Sequence, residues 1–558
     1  MAEELYSAKG NSECEWFDSR TGIYKSKYKS INLPKTQFLD VVSFIFSFKH
    51  NGSSALIHHS SGYSLSYSNL HQMVNSFASG LHHLGVSKGD VVLILLPNTV
   101  YFPIILLGVL SVGAIAMPMN PLSSSIEIDK RVKDCNVTLI FTENVEKVEH
   151  LNVRVRVIRV PLVENIVECE LQTSEFDCFN RLVSSNPRTW TTPEINQEDT
   201  AAILYSSGTS GVSKGVVLTH KNLISVIEVF VRFEALQSSS IYPVLENVYL
   251  AIVPMFHVYG LSLFSLGLLS LGSTIVVMRN YNIEEMLRTI DTYRVTHLPI
   301  VPPILMDLTR AKSKGRCHLK SVKQVSFGAA PSSRKLIQDF AQGFPHVDLI
   351  QGYGMTESSA VGTRGLNTAK FRKYTSVGLL QPNLQAKVVD LDSGLCLPPG
   401  LSGELRLVEI PRGGGHPGHR YAPYPAPPRP YAPRVPALPA PHQPRGGYLN
   451  DANETKAAID ENGWLHTGDI VYFDQDGYLY IVDRLKEMIK YKGYQIAPAD
   501  LESIILSHPD ILDAAVTGCR DEEAGEIPVA YVVKKPGRAL SEKDVIKYIA
   551  YQASSNGC

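Results

Sequence analysis

The stretch Tyr205-Ser206-Ser207-Gly208-Thr209-Ser210-Gly211-Val212-Ser213-Lys214-Gly215 follows directly on the apolar run Ala201-Ala202-Ile203-Leu204. An apolar run of that length bounded by glycine and serine predicts a buried strand that ends in a loop. Glycines let backbone N–H groups turn toward an anion, and serine and threonine hydroxyls add further donors. The lysine supplies a point charge suited to phosphate. The pattern therefore predicts a phosphate-gripping loop at a strand end. It is not the P-loop pattern, because Ser213 precedes the lysine and Gly215 follows it. A serine- and glycine-rich segment also reads as a linker, and the residues further along decide between the two.

Outward from this loop, apolar strand-like runs at Val91–Leu96, Leu139–Phe141, Thr274–Val277 and Gln324–Phe327 alternate with helical patterns at Tyr67–Leu84 and Asn282–Tyr293. Alternation of this kind predicts an α/β protein with largely parallel sheets. The chain has 558 residues, 44% of them hydrophobic and 19% charged, with a formal net charge of −1. That balance suits a large domain plus a smaller one and argues against a nucleic-acid binder, which would carry a basic face. The eight cysteines are scattered without C-x-x-C or zinc spacing, as expected of reduced thiols in a cytosolic or similar compartment. Met1-Ala2-Glu3-Glu4 opens no apolar core segment, so no signal peptide is expected. Thr99–Met119 is uncharged and long enough to span a bilayer, but Pro103, Gly108 and Gly113 interrupt it, and it reads as a buried helix following a buried strand.

Three further segments carry chemistry. In Gln351-Gly352-Tyr353-Gly354-Met355-Thr356-Glu357-Ser358, Tyr353 offers a flat face to a purine, Thr356 a hydroxyl to a phosphate, and Glu357 a hard oxygen to Mg²⁺. The same segment also reads as a polar turn with a surface glutamate. Trp464-Leu465-His466-Thr467-Gly468-Asp469 places an acid after a glycine turn, a way to hold a ribose diol or simply to cap a hairpin. The charge-rich Asp483-Arg484-Leu485-Lys486-Glu487-Met488-Ile489-Lys490-Tyr491-Lys492-Gly493-Tyr494-Gln495 reads as a solvated face or a hinge.

Together and in this order the four segments resemble the adenylate-forming superfamily, most closely plant 4-coumarate:CoA ligases and their 4-coumarate:CoA ligase-like relatives, over roughly residues 30–410 and 447–550. The resemblance implies a large N-terminal domain of packed α/β subdomains plus a β subdomain, residues 1–482, and a small α+β C-terminal lid, residues 483–558. It implies an acid–CoA ligase using ATP, Mg²⁺ and CoA. A carboxylate would attack the α-phosphate of ATP, and CoA would then displace AMP from the acyl-adenylate, the lid rotating between the steps. Ser206, Ser207, Gly208, Thr209, Ser210, Gly211 and Lys214 match the phosphate clamp, with Gln351 to Met355 and Thr356 at the nucleotide and Glu357 at the metal. Asp469 and Arg484 would hold the ribose, and Asp483 would be the hinge. Lys490 and Gln495 would serve adenylate and thioester chemistry, with Lys492 and Gly493 near the CoA tunnel. Phe256-His257 matches the gate of the acyl pocket, and Gly328, Ala329 and Ala330 line the cleft. The resemblance implies a small carboxylic acid as partner, aromatic or aliphatic, with cinnamates, fatty acids and jasmonate precursors all open. It implies a cytosolic or peroxisomal location and participation in phenylpropanoid or fatty acid metabolism.

Three departures from the family's pattern stand out. Pro411–Gly446 holds twelve prolines, five arginines and no acid, where the family has a short turn. Its composition predicts an extended or disordered segment, read as an SH3-type ligand, a translated intron or a gene-model error. The chain ends at Cys558 without the family's P-K-x-x-x-G-K lysine or a peroxisomal S-K-L. A truncated lid and poor adenylation are therefore expected, and a nucleotide-binding pseudoenzyme is an alternative, with a luciferase-like oxygenase and a proline-rich scaffold behind it. Ser213 stands where many relatives have proline, which keeps the loop's function and makes it more flexible, while Gly260-Leu261 and Ser358-Ser359-Ala360-Val361 differ from true 4-coumarate ligases, so a larger or different acyl chain is expected.

Overall fold

The structure, a computed structural model, describes residues 16–48, 50, 54–149, 151, 155–162, 177–187, 190–206, 213–238, 247–330, 332–365, 367, 372–409, 447–491, 494–496, 498–521 and 525–555. These residues form four sheets. The phosphate-loop strand, Thr200–Ser206, lies in a seven-stranded sheet beside Ile115–Pro118 on one side and Lys214–Thr219 on the other. Its neighbours Val91–Leu95, Ile115–Pro118 and Val137–Thr142 run parallel. Every residue of Val91–Leu95 is buried, as a strand covered on both faces requires. A nine-stranded sheet carries the parallel run Thr274–Val277, Val248–Ala251, His297–Ile300, Gln324–Phe327 and Asp348–Tyr353.

One apolar core joins these two sheets. Within it the helix Tyr101–Ser111 is buried at every position. A helix that is apolar all round needs cover on every side, and here protein supplies it. The buried helix expected within Thr99–Met119 covers Tyr101–Ser111, while Ile115–Pro118 at the end of that run is a strand, and among the described residues no helix is long and apolar enough to cross a membrane. The helix Tyr67–His83 starts where Ser66 Oγ accepts from Asn69 N at 3.2 Å.

The third sheet is six-stranded and antiparallel, ending in Gly403–Glu409, Leu465–Phe473 and Leu479–Arg484. Its far edge is supplied by Phe17–Asp18 and Ile23–Lys25 from the other end of the chain. The fourth sheet, also antiparallel, contains Ile489–Tyr491, Tyr494–Ile496, Ile511–Asp521 and Gly525–Lys534, packed against the helices Pro498–Leu506 and Glu542–Ser555. Its two long strands, Ile511–Asp521 and Gly525–Lys534, run well beyond their apolar cores Ala514–Thr517 and Val529–Lys534. The antiparallel ladder continues from Ile511 to Asp521 even though most of those side chains are exposed, so apolar content understated their length. Asp483, expected at a hinge, lies on the last strand of the six-stranded sheet opposite Ile470, and the fourth sheet begins at Ile489. The segment 411–446 lies outside the described residues.

Candidate functional site

Parallel strands leave their C-terminal ends open for ligands. Three such ends meet here at one cavity of about 410 Å³: Thr200–Ser206, Gln324–Phe327 and Asp348–Tyr353. The volume suits a small molecule. Its wall includes Ser206, Gly328, Ala329, Gly352, Tyr353, Gly354, Met355, Thr356, Glu357, His257, Asp469 and Arg484.

Two hydrogen-bonded groups organise it, and each ties different sheets together. In the first, Ser206 Oγ donates to Glu357 Oε1 at 2.8 Å, and the Tyr448 hydroxyl donates to the same oxygen at 2.9 Å. Glu357 stands in the short 3₁₀ turn Thr356–Ser358 just after the strand Asp348–Tyr353. The left-handed backbone at Ser359 (φ 56°) and Ala360 (φ 67°) turns the chain back beneath that turn. Non-glycine residues held there are strained, and such strain gathers at ligand sites. In the second group, the Tyr353 hydroxyl donates to Asp469 Oδ2 at 2.6 Å, while Arg484 Nε sits 3.3 Å from Asp469 Oδ1. Asp469 and Arg484 face each other directly across two antiparallel strands. Burial pushes the Asp469 carboxyl up, and the Tyr353 hydroxyl and Arg484 oppose that rise. Burial and the adjacent carboxylate push the Tyr353 phenol up, so it stays a donor.

Glycines 328 and 354 allow the close approaches. A Cβ at Gly328 would lie 2.6 Å from the Gly352 carbonyl oxygen, and one at Gly354 would lie 2.3 Å from that of Ala360. His257 caps the helical turn Val258–Gly260 at the cavity rim, its ring accepting from Tyr259 N at 3.4 Å. Solvent reaches one side of His257, and desolvation by the wall behind it pushes its imidazole pKa down.

Other expected residues stand apart. The Lys214 ammonium is buried against Glu454 and lies 4.8 Å from the Tyr448 ring centre, outside the described cavity wall. Gln351 is buried in its strand, with Oε1 lacking a partner among the described residues, and Ala330 is exposed beyond the wall. Lys490 pairs with Gln495 across two strands of the fourth sheet, but their side chains lie outside the described residues. Ser207, Gly208, Thr209, Ser210, Gly211, Lys492 and Gly493 also lie outside them. The stems of the phosphate loop are described. Ser206 pairs with Lys214, and Arg131 grips both sides, its guanidinium 3.9 Å from the Tyr205 ring centre and its Nη2 donating to the Ser213 carbonyl at 3.4 Å.

Sequence reasoning missed Tyr448, Phe230, Tyr259, Phe327 and Arg364 as site residues. Tyr448 reaches Glu357 only because Gly447–Tyr448 pairs with the phosphate-loop hairpin at Val216 and Val217. A charge at Arg364 inside the run Val361-Gly362-Thr363-Arg364-Gly365 was the one local signal. Among the described residues no group of three or more histidines, cysteines or carboxylates is placed to hold a metal.

The family model described as AMP-binding enzyme matches residues 47–408, and that described as AMP-binding enzyme C-terminal domain matches residues 500–555. The chain is 51% identical to 4-coumarate–CoA ligase-like 6 of Arabidopsis thaliana, covering 97% of this chain and 89% of that protein. It is 45% identical to 4-coumarate–CoA ligase-like 3 of Oryza sativa subsp. japonica, covering 97% and 88%. It is 37% identical to peroxisomal OPC-8:0-CoA ligase 1 of Arabidopsis thaliana, covering 98% and 92%. Among solved structures, an anthranilate CoA ligase in complex with anthranoyl-AMP superposes with a TM-score of 0.75 at 19% identity, over 94% of this chain and 91% of that one. At that identity the likeness speaks to the fold alone.

Proposed function

The chain belongs to the AMP-binding enzyme family, and on that premise we propose that it is an ATP-dependent acid–CoA ligase that works through an acyl-adenylate. The observation that carries this reading is the convergence, on one cavity, of the Ser206–Glu357–Tyr448 and Tyr353–Asp469–Arg484 groups. The substrate carboxylate oxygen bonds to the α-phosphorus of ATP as the bond to pyrophosphate breaks. The CoA thiol then forms the thioester, AMP leaves, and the thiol proton is released.

Each group has a role suited to its geometry. Asp469 and Arg484 hold the ribose hydroxyls, and Tyr353, positioned by its bond to Asp469, presents its ring to the adenine. Thr356 donates its hydroxyl to the α-phosphate, where charge builds in the transition state. The loop from Ser206 to Lys214 takes the outer phosphates. In doing so Lys214 exchanges Glu454 for phosphate, since the cation is already partnered. Glu357 fits Mg²⁺, which binds through one or two carboxylates with phosphate oxygens completing the shell. The bound ion would supply charge neutralisation at the phosphates. Before then Glu357 is held by two hydroxyl donors that keep its oxygen facing Ser206. His257, whose imidazole pKa is pushed down by desolvation, gates the acyl end. Lys490 and Gln495, on their strand pair, act in adenylate and thioester chemistry, with Lys492 and Gly493 at the CoA path.

The acid is of the 4-coumarate-like or fatty and oxylipin type, and the compartment is the cytosol or the peroxisome, the latter suggested by the name of one relative. The test is pyrophosphate release from ATP and Mg²⁺ by the purified chain across a panel of cinnamic and medium-chain acids, followed by thioester formation on adding CoA. Acid-dependent pyrophosphate release and an acyl-CoA product are expected. Tight AMP binding with no acid-dependent release from any member would replace the ligase with a nucleotide-binding protein.

A further inference from the structure

The cavity wall is built for oxygen as well as for hydrocarbon. Phe230, Tyr259 and Phe327 line it together with Arg364, whose side chain is only 10% exposed. Arg364 lies on the short strand Thr363–Arg364, directly opposite Gly352. Behind it, Nη2 donates to Glu234 and, at 3.5 Å, to Gln324 Oε1. Glu234 follows the π-helical turn Ile227–Arg232 that carries Phe230. The guanidinium lies 5.3 Å from the Phe230 ring centre.

Two features set this pair apart from a strut. Both hydrogen bonds that the described residues offer Arg364 fall on Nη2, and Nε is enclosed with no acceptor. Guanidinium carries five N–H donors, so its capacity is far from used. A buried ion pair is also a poor way to gain stability, since apolar residues of similar volume do as well or better. Its presence beside a cavity points to recognition.

Resting on the ligase reading above, we propose that Arg364, held by Glu234, selects an acid whose far end carries a neutral oxygen acceptor, a carbonyl, hydroxyl or ether. Glu234 already neutralises the guanidinium, so a second carboxylate would meet that acid at close range. A plain alkyl or aryl tail would cover the donors and leave them without water or partner, which a site built for hydrogen bonding rejects strongly.

The test uses three acyl-sulfamoyl adenosines of equal, medium chain length, ending in a methyl group, a methyl ketone or a carboxylate, titrated calorimetrically into the intact chain. The ketone analogue is expected to bind roughly 10- to 100-fold more tightly than the methyl analogue. The double variant Arg364→Met with Glu234→Gln should bring the two to near-equal affinity, whereas a purely structural pair would weaken both alike and keep the ratio. Equal binding of all three by the unaltered chain overturns the tail selection and leaves the adenylate site standing. Tightest binding of the carboxylate analogue overturns the neutral acceptor. Failure of all three to bind overturns the adenylate reading itself, and the selection with it. The comparison within the unaltered chain decides the matter even if the double variant does not fold.

Discussion

Asp469 shows how much one side chain can hold. It lies on an antiparallel strand, accepts from a tyrosine at the end of a parallel strand in another sheet, and pairs with Arg484 on its neighbouring strand. Hydrogen bonds to a charged partner contribute about 1.5–3 kcal/mol. Asp469→Asn keeps the shape and removes the charge that both a ribose diol and Arg484 require. AMP affinity measured by calorimetry should fall by roughly 10- to 100-fold. The thermal midpoint should move little, because Arg484 is half exposed and regains water. Unchanged AMP affinity would remove Asp469 from the nucleotide site. The acid after a glycine turn was legible in sequence, but its tyrosine partner 116 positions away was not. A hydrogen bond between sheets leaves no local trace in either segment.

At the scale of elements, the turn after the strand Asp348–Tyr353 decides where Thr356 and Glu357 point. Its tightness depends on Gly354, whose absent Cβ makes room for the Ala360 carbonyl 2.3 Å away. Gly354→Ala must push the turn outward, and a misplacement of about 1 Å can cost on the order of 10²-fold in rate. Gly343→Ala is the internal control, since it ends the helix Arg334–Gly343 outside the cavity wall and a Cβ there meets only the flexible Lys312 side chain, at 3.3 Å. Turnover in the pyrophosphate assay should collapse for Gly354→Ala and survive largely intact for Gly343→Ala. Equal losses would show that the turn's tightness is not what places the two side chains. The strands and long helices of the two parallel sheets were legible because unbroken apolar runs and 3.6-residue periods are local properties. The long lid strands were not, because their exposed halves are held by backbone ladder hydrogen bonds, which do not depend on side-chain polarity.

The whole molecule also stores a dependence on pH. His220 is completely buried, and its Nδ1 accepts from Val41 N at 3.2 Å, joining the helix Val41–Phe46 to the helix His220–Val226. Burial pushes its pKa from 6.5 down to about 4. The unfolded chain therefore takes up this proton first. The stability His220 contributes is intact above 6.5, declines as pH falls, and is gone at about 4. His297, pushed down to about 3 chiefly by burial, acts with the same sign. Half-buried carboxyls raised by desolvation, Glu234 and Asp348 among them, act with the opposite sign, so the histidine is isolated by difference. The gap in urea midpoint between the unaltered chain and His220→Gln should narrow steadily from pH 7 to pH 4. A gap that stays constant would mean that His220 takes up its proton over the same pH range in the folded and the unfolded chain.

By itself the sequence determined the α/β class, the burial of Tyr101–Ser111, and the four segments on which Ser206, Thr356, Glu357, Asp469 and Arg484 stand. These rest on periodicity, glycine placement and the chemistry of residue types, all readable within a few positions. Only the tertiary structure decided that Ser206 and Tyr448 share one oxygen of Glu357, that Lys214 is held by Glu454, and that Arg364, paired with Glu234, lines the cavity. Those arrangements depend on which strand ends three separate sheets bring together, and packing between sheets is a property of the folded core, with no signature in any one stretch of chain.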